Sequence, residues 1–251
     1  MTHKFDRRQA LAALGTVTLG SVLAACGGDG DTTTGTQVTT TDGATATVTP
    51  RTTTSGATAD RFDAAASCAI TPELTEGPYY FDVDAIRSDI REDRDGTLLR
   101  LAVRVRDAES CEPLRNAVVD VWHCDAGGSY SGFESASMGG GPTDEETYLR
   151  GAQVTNADGV VEFKTIYPGA YPGRTVHVHA KVHLDRRTVL TTQFFFDEAV
   201  TERVYAKSPY ADDPARQSNV TDGIFDDRLI LTLSEEDDGL LGLINLDVQR
   251  A

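Results

Sequence analysis

The stretch TVHVHAKVH, residues 175–183, alternates polar and apolar side chains at every position. Successive side chains of a β-strand point to opposite faces of a sheet, so this pattern predicts a strand with one apolar and one polar face. Similar short patterns predict further strands at residues 99–105, 117–124, 151–154, 160–164, 189–196 and 229–233. A short helix is predicted at residues 197–206, and Asn156-Ala157-Asp158-Gly159 predicts a hairpin turn. This density of strands, without alternating helices, predicts an antiparallel β-sandwich.

The polar face of the strand at residues 175–183 carries two potential metal ligands. His177 and His179 are two residues apart, so both imidazoles point to the same side of the sheet. Tyr171 precedes them across Pro172-Gly173, a pair that favours a turn and can bring its phenol back to the same metal. Tyr130 offers a second phenol. Phenol ionises near pH 10 and binds zinc poorly at neutral pH, but a trivalent cation can hold it as phenolate. These four residues therefore predict a site for one non-haem Fe(III).

Each of these residues also has a structural interpretation. A histidine pair at strand spacing can be a polar surface stripe, and the tyrosines can be half-buried packing residues. His183 continues the same strand face, but it lies farther along and is predicted to support the site or the sheet rather than bind metal. His123 is predicted to face the core or the opposite sheet. Tyr148 and Tyr167 are predicted to pack in the interior.

Five runs of residues occur in a characteristic order: TPELTEGPYY (71–80), VDVWHCDAGGSYSG (119–132), LRG (149–151), DG (158–159) and TIYPGAYPGRTVHVH (165–179). Together they resemble the intradiol ring-cleavage dioxygenases. The resemblance covers roughly residues 68–200 and is strongest to the lipid-anchored, secreted-type members of that family. It implies the same β-sandwich fold, placed here in residues 66–251. It also implies O2-dependent cleavage of a catechol-type ring between its two hydroxylated carbons, giving a cis,cis-muconate-type diacid.

The resemblance also implies roles for individual residues. Tyr171 and His179 would be the axial ligands, and Tyr171 would leave when substrate binds, whereas Tyr130 and His177 would stay in the equatorial plane. Further roles follow for three residues: Arg174 would stabilise carbanion character on the substrate ring, Gln193 would lie near the oxygen site, and Tyr79 would line the substrate pocket. Arg174 has a simpler alternative as one half of a structural salt bridge.

Residues 1–25 have the pattern of a signal peptide. A charged start with Arg7-Arg8 precedes an apolar stretch, and Leu23-Ala24-Ala25 before Cys26 forms a lipobox. We therefore expect export by the twin-arginine or Sec route, and lipidation of Cys26 at the outer face of the cytoplasmic membrane. A transmembrane anchor is the weaker alternative, because the apolar run is short for a membrane span. Residues 26–65 are rich in Thr, Gly, Asp and Ala and predict a flexible stalk.

The charge of the chain limits its partners. The sequence carries 23 basic and 39 acidic residues, and without residues 1–25 the balance is 20 against 38, a net charge of −18. So acidic a surface disfavours nucleic acids and anionic membranes as partners. The family resemblance implies a small catechol-type molecule and O2 as the partners. The sequence leaves the oligomeric state open. The Gly- and Ser-rich loop at residues 135–143 is predicted to form a rim of the substrate pocket.

Two questions stay open at the level of sequence. An exported protein can oxidise its cysteines, and either Cys68–Cys111 or Cys68–Cys124 is possible, because a continuous strand at residues 117–124 holds Cys124 away from Cys111. The stretch at residues 99–163 also fits transthyretin-like or carboxypeptidase-regulatory-like modules, which only bind a partner or stiffen the protein. A module of that kind would be a non-catalytic binding protein at the cell surface.

Overall fold

A computed structural model describes residues 36–39, 45–48, 56–62, 68–83, 85–133, 145–210 and 216–250. The signal peptide, Cys26 and the loop at residues 135–143 lie outside these residues. No helix in the described ranges combines the length and the apolar character that crossing a membrane requires.

Eight strands form two four-stranded sheets that pack on a shared apolar core. They are β3 (Leu98–Asp107), β4 (Val118–Trp122), β5 (Arg150–Val154), β6 (Val160–Ile166), β7 (His177–Leu184), β8 (Arg187–Phe195), β9 (Thr232–Glu236) and β10 (Gly239–Val248). One sheet has the order β6-β3-β10-β9, and the other has the order β5-β4-β7-β8. Helix α2 (Glu198–Tyr205) is capped by the Asp197 side chain, which accepts a hydrogen bond from the Val200 backbone. The two packed sheets confirm the predicted β-sandwich.

Strand β10 differs most from the prediction. It was not recognised in the sequence, and it pairs parallel with β3 although antiparallel pairing was expected. From Leu240 to Val248, buried and exposed side chains hardly alternate, because most of these residues are buried. A strand covered on both faces shows no period of two, which removes the signal on which the prediction depended. The neighbouring strand β9 begins three residues later than predicted, because Asp227–Leu229 forms a 3-10 helix.

The predicted turn at residues 156–159 forms, but it does not make a hairpin. The Gly159 backbone donates to the Asn156 carbonyl at 3.1 Å, and Gly159 has a φ of 72°, which favours glycine. The strands on either side, β5 and β6, belong to different sheets. A local turn signal predicts a reversal of the chain, whereas the choice of partner strand depends on the whole fold.

The segment at residues 56–62 packs on the outer face of the β6-β3-β10-β9 sheet, although it was assigned to the stalk. It contains a short helix α1 (Gly56–Ala59). Phe62 is only 6 % exposed and packs with Leu241 and Leu243 of β10. Arg61 donates to the Glu236 carboxylate at 2.8 Å. The compact domain therefore includes these residues. Farther toward the N-terminus, β1 (Thr36–Thr39) and β2 (Thr45–Val48) pair with each other.

The cysteines resolve the alternative that the sequence left open. Cys68 and Cys111 form a disulfide with their Cα atoms 5.7 Å apart. Cys124 is buried, and its thiol donates to the Gly169 carbonyl at 3.4 Å. The disulfide joins the chain entering the domain to the loop that follows β3.

Candidate metal centre

The face of the β5-β4-β7-β8 sheet that points away from the core carries the candidate site. The alternation in β7 places Val178 and Ala180 in the core, and His177 and His179 on the opposite face. His179 is the cross-strand neighbour of Trp122 on β4 and of Gln193 on β8. The predicted strand geometry thus brings both histidines to one side of the sheet.

The two imidazoles turn their Nε2 atoms toward one point. These atoms lie 3.1 Å apart, and the Tyr171 hydroxyl lies 3.1 Å from His177 Nε2. His177 Nδ1 must donate to the Thr175 carbonyl at 2.6 Å, so its Nε2 carries the free lone pair. Burial lowers the pKa of His177 to about 3, and it lowers the pKa of His179 well below its ordinary value. Both rings are therefore neutral at physiological pH and suited to bind a metal.

Tyr130 completes the cluster from the loop after β4. It is 5 % exposed, and its ring centroid lies 5.7 Å from that of Tyr171 and 6.2 Å from that of His179. Its buried hydroxyl has no hydrogen-bond partner of good geometry in the described part of the chain, although the Tyr171 phenol is near enough to affect its pKa. Burial raises the pKa of Tyr130 well above its ordinary value, and it raises the pKa of Tyr171 to about 12. Both phenols therefore stay protonated unless a strong cation binds beside them.

These observations fit a ferric ion. A buried hydroxyl without a partner is costly, and a metal bond would satisfy the Tyr130 oxygen. Within the described ranges, no group of three or more His, Cys, Asp or Glu side chains could hold a metal, so the donor set rests on phenols together with imidazoles. A trivalent cation has the charge to deprotonate both phenols, and neutral imidazoles complete its coordination. The structure thus brings together all four residues of the predicted donor set.

Arg174 is held next to this cluster by a network that the sequence did not reveal. Its Nε donates to the Asp222 carboxylate at 2.9 Å, its Nη2 donates to the Gln193 side-chain oxygen at 2.5 Å, and its Nη1 lies 3.3 Å from His177 Nε2. Although burial opposes the shift, hydrogen bonds from Thr175, Ile224 and Arg174 lower the pKa of Asp222. Asp222 is 48 residues from Arg174, and no local pattern in the sequence could have indicated the pair. Arg174 therefore forms a structural salt bridge with Asp222 and also lies beside the proposed metal ligands, so the two interpretations of this residue are compatible.

The segment before β3 forms a wall over the cluster. The Tyr79 ring stacks on Tyr130 with centroids 4.5 Å apart, and Gln193 donates to the Thr75 carbonyl at 2.8 Å. Gly77 has a φ of 72°, and a Cβ atom on it would lie 3.1 Å from His179 Cε1. Because the backbone passes so close to His179, any side chain at this position would push the wall away from the site. Tyr79 thus lies against Tyr130, and its role in lining a substrate pocket stays a prediction.

Two further histidines and two further tyrosines that the sequence analysis considered lie outside the cluster. His123 is fully buried between the Cys124 carbonyl and the Thr165 hydroxyl, and burial lowers its pKa to about 4. His183 is half-buried and contacts the Thr188 hydroxyl at 3.1 Å. Tyr148 and Tyr167 belong to the main core. The packing roles expected for these residues agree with their positions.

Comparison with known proteins places the chain among dioxygenases. A family model described as Dioxygenase matches residues 72–239. Catechol 1,2-dioxygenase 1 of Acinetobacter lwoffii is 33 % identical over 147 residues, which are 49 % of this chain and 45 % of that protein. A chlorocatechol 1,2-dioxygenase of Rhodococcus opacus is 31 % identical over 127 residues, covering 43 % of this chain and 47 % of that protein. The chain thus spans about half the length of these curated relatives.

Among solved structures, an intradiol ring-cleavage dioxygenase from Tetranychus urticae is 37 % identical, with a TM-score of 0.70, and the match covers 72 % of this chain and 95 % of that one. The dioxygenase domain of a dioxygenase carbohydrate-binding protein fusion from Streptomyces sp. SirexAA-E is 32 % identical, with a TM-score of 0.55. This second match covers 73 % of this chain and all of that domain.

Proposed function

This chain belongs to the intradiol ring-cleavage dioxygenase family, and on that premise we propose that it is a non-haem Fe(III) enzyme acting on a catechol-type substrate. The reaction would break the bond between the two hydroxylated carbons and add both atoms of O2, which yields a cis,cis-muconate-type diacid. The observation that carries this proposal is the convergence of Tyr130, Tyr171, His177 and His179 in one buried cluster. A non-catalytic surface module, the alternative, does not account for a buried Tyr130 hydroxyl that lacks a partner.

The four ligands of this proposal have different surroundings, which suggest different tasks. When bound, Fe(III) would supply the charge that keeps both phenols ionised and draws the protons from the two catechol hydroxyls. Tyr130 is almost fully buried, whereas Tyr171 is only partly buried and its hydroxyl contacts His177. As the less buried of the two phenols, Tyr171 would be the one to move aside and accept a proton from a catechol hydroxyl. Tyr130 and the two histidines keep their places.

Arg174 and Tyr79 would act on the substrate ring. Asp222 and Gln193 hold the Arg174 guanidinium from two sides, so its positive charge is fixed beside the cluster. A preorganised charge at this place stabilises negative charge that develops on the ring carbons. The Tyr79 ring forms an apolar wall against Tyr130 and Phe133, which can hold an aromatic substrate and exclude water.

Iron content and product identity test this function directly. Because two phenolates favour a hard trivalent ion, purified protein loaded with iron should hold about one iron per chain and absorb broadly in the visible range. With catechol under 18O2, mass spectrometry should show a muconate that carries both labelled atoms. A protein that stays colourless after iron loading would contradict the metal assignment. A yellow semialdehyde product would contradict the cleavage site.

We also propose that the protein is exported and anchored by lipid at Cys26, a residue outside the described ranges. The Cys68–Cys111 disulfide supports this, since structural disulfides form in oxidising compartments outside the cytoplasm. In a bacterial host, the wild-type protein should be found in the membrane fraction, and Cys26→Ser should release it from that fraction. Cys124→Ser is the matched control and should leave the fractionation unchanged. An unchanged membrane fraction for Cys26→Ser would refute lipidation at this residue.

A further inference from the structure

Arg150 lies under the loop that carries Tyr130. It is the cross-strand neighbour of Trp122 on the site face of the sheet, and it is 1 % exposed. Its Nε donates to the Ser131 hydroxyl at 2.9 Å, and its Nη2 donates to the Ser131 carbonyl at 2.8 Å. Two hydrogen bonds from one planar guanidinium to the residue after Tyr130 fix the course of the loop at this point.

The surroundings of Arg150 are mainly aromatic. Its Cζ lies 4.2 Å from the ring centroid of Phe81, 5.7 Å from that of Phe133 and 5.9 Å from that of Tyr130. No carboxylate in the described part of the chain lies within ion-pair distance of its guanidinium, and its Nη1 is buried without a hydrogen-bond partner. A buried cation in this state is costly, and an opposing charge nearby would offset the cost.

Two groups near Arg150 can carry such an opposing charge. One is Asp120, but burial raises the pKa of this carboxyl to about 7, so it is a weak counter-charge at neutral pH. The other is Tyr130, whose ring centroid lies 5.9 Å from Arg150 Cζ and whose phenol becomes negative when a cation binds it. Arg174, in contrast, contacts His177 on the other side of the cluster. Each arginine thus contacts a different proposed ligand, Arg150 the Tyr130 ring and Arg174 the His177 imidazole.

We propose that Arg150 is a positioning residue for Tyr130, clamping its loop through Ser131 and placing a fixed positive charge beside its ring. This inference rests on the proposed ferric function. In this proposal, Arg150 sets the position and the donor strength of Tyr130 without itself touching metal or substrate. Among the four proposed ligands, Tyr130 is the one whose ring contacts the Arg150 guanidinium, and Ser131, which accepts both hydrogen bonds, is the next residue in the chain.

The visible absorption of the iron-loaded protein reports this effect apart from activity. The transition moves an electron from a phenolate to the iron, and a positive charge beside the phenolate lowers the energy of the donor electrons. Removing the charge should therefore shift the Tyr130 band to longer wavelength. A purely structural role for Arg150 would reduce the amount of bound iron without moving the band.

The test compares four variants in the full-length protein. Arg150→Met should lower the affinity for iron about tenfold or more and shift the band to longer wavelength, as is typical when a partner of a metal ligand is lost. Arg150→Lys keeps the positive charge but loses the planar guanidinium that makes two hydrogen bonds to Ser131. It should therefore keep the wild-type band position and only part of the wild-type affinity for iron. Ser131→Ala weakens the clamp alone and should lower the affinity without moving the band. Arg104→Met, which removes a guanidinium 4.8 Å from the Phe62 ring on the outer face of the other sheet, is the control and should change neither quantity.

The Tyr171→Phe background separates the two phenols. Only Tyr130 contributes a phenolate band there, so Arg150→Met should shift that band by the same amount as in the wild type. An unshifted band in this background, or a band that moves no more in Arg150→Met than in Arg104→Met, would overturn the inference. The same holds if Arg150→Lys shifts the band as far as Arg150→Met does. A wild-type protein that binds no iron would instead overturn the proposed function itself.

Discussion

Arg174→Met is expected to slow cleavage of catechol by about two orders of magnitude, or ~3 kcal/mol in activation free energy, while iron content stays unchanged. The guanidinium is fixed by Asp222 at 2.9 Å and by Gln193, with Nη1 3.3 Å from His177 Nε2. It is therefore already in place when negative charge develops on the substrate ring, and water that replaces it would have to reorient. Turnover at saturating catechol, measured by muconate formation, gives the size of the effect.

Two companions of Arg174→Met show whether charge or position matters. Asp222→Asn keeps the arginine but weakens its anchor, so it should cause a smaller loss of turnover than Arg174→Met. Arg104→Met removes an arginine on the outer face of the other sheet, where it donates to the Asn245 side chain at 2.8 Å, and its turnover should match the wild type. If Arg174→Met lost its iron, or turned over at the wild-type rate, Arg174 would be a structural salt-bridge partner only.

Tyr130→Phe should release most of the bound iron, whereas Tyr171→Phe should keep iron and lose turnover. Tyr130 is 5 % exposed and its hydroxyl has no alternative partner of good geometry in the described residues, so its loss leaves the metal one permanent ligand short. Tyr171 is partly buried and contacts His177, as suits a ligand that gives way to substrate. We expect the iron affinity of Tyr130→Phe to fall at least tenfold, on the order of the losses known for changes around metal ligands.

Metal analysis and visible spectra of the two variants measure this difference. Both should lose part of the colour, because each lacks one phenolate. Tyr167→Phe is a suitable control, since its hydroxyl bonds to Thr201 at 2.7 Å in the main core. Equal iron loss in Tyr130→Phe and Tyr171→Phe would show that the two phenols do not differ as their burial indicates. Wild-type turnover in Tyr171→Phe would rule out a role for that oxygen in taking a proton from the substrate.

Much of the donor set could be predicted because its geometry is local. His177 and His179 share a face by the period of the strand, and Tyr171 immediately precedes a turn that Pro172-Gly173 favours. The position of Tyr130 was predicted from the run of residues around it and from the family resemblance. Asp222 and Arg150 received no role, because their partners lie 48 and 19 residues away and no periodic pattern joins them.

By itself, the sequence determined the alternation of β7, the turn at residues 156–159, the sandwich class and the four side chains proposed to hold the metal. The alternation, the turn and the grouping of Tyr171 with the two histidines depend on residues close together in the chain, where the backbone period decides the direction of each side chain. Tyr130 was indicated instead by the run of residues around it and by the family resemblance. Tertiary structure decided that Cys68 pairs with Cys111, that β5 and β6 enter different sheets, that β10 runs parallel to β3, and that Arg150 lies under the Tyr130 loop. Each of these depends on which distant segments share the core. That choice follows from the packing of both sheets at once, because a segment covered on both faces, or a partner far along the chain, leaves no periodic signal in the sequence.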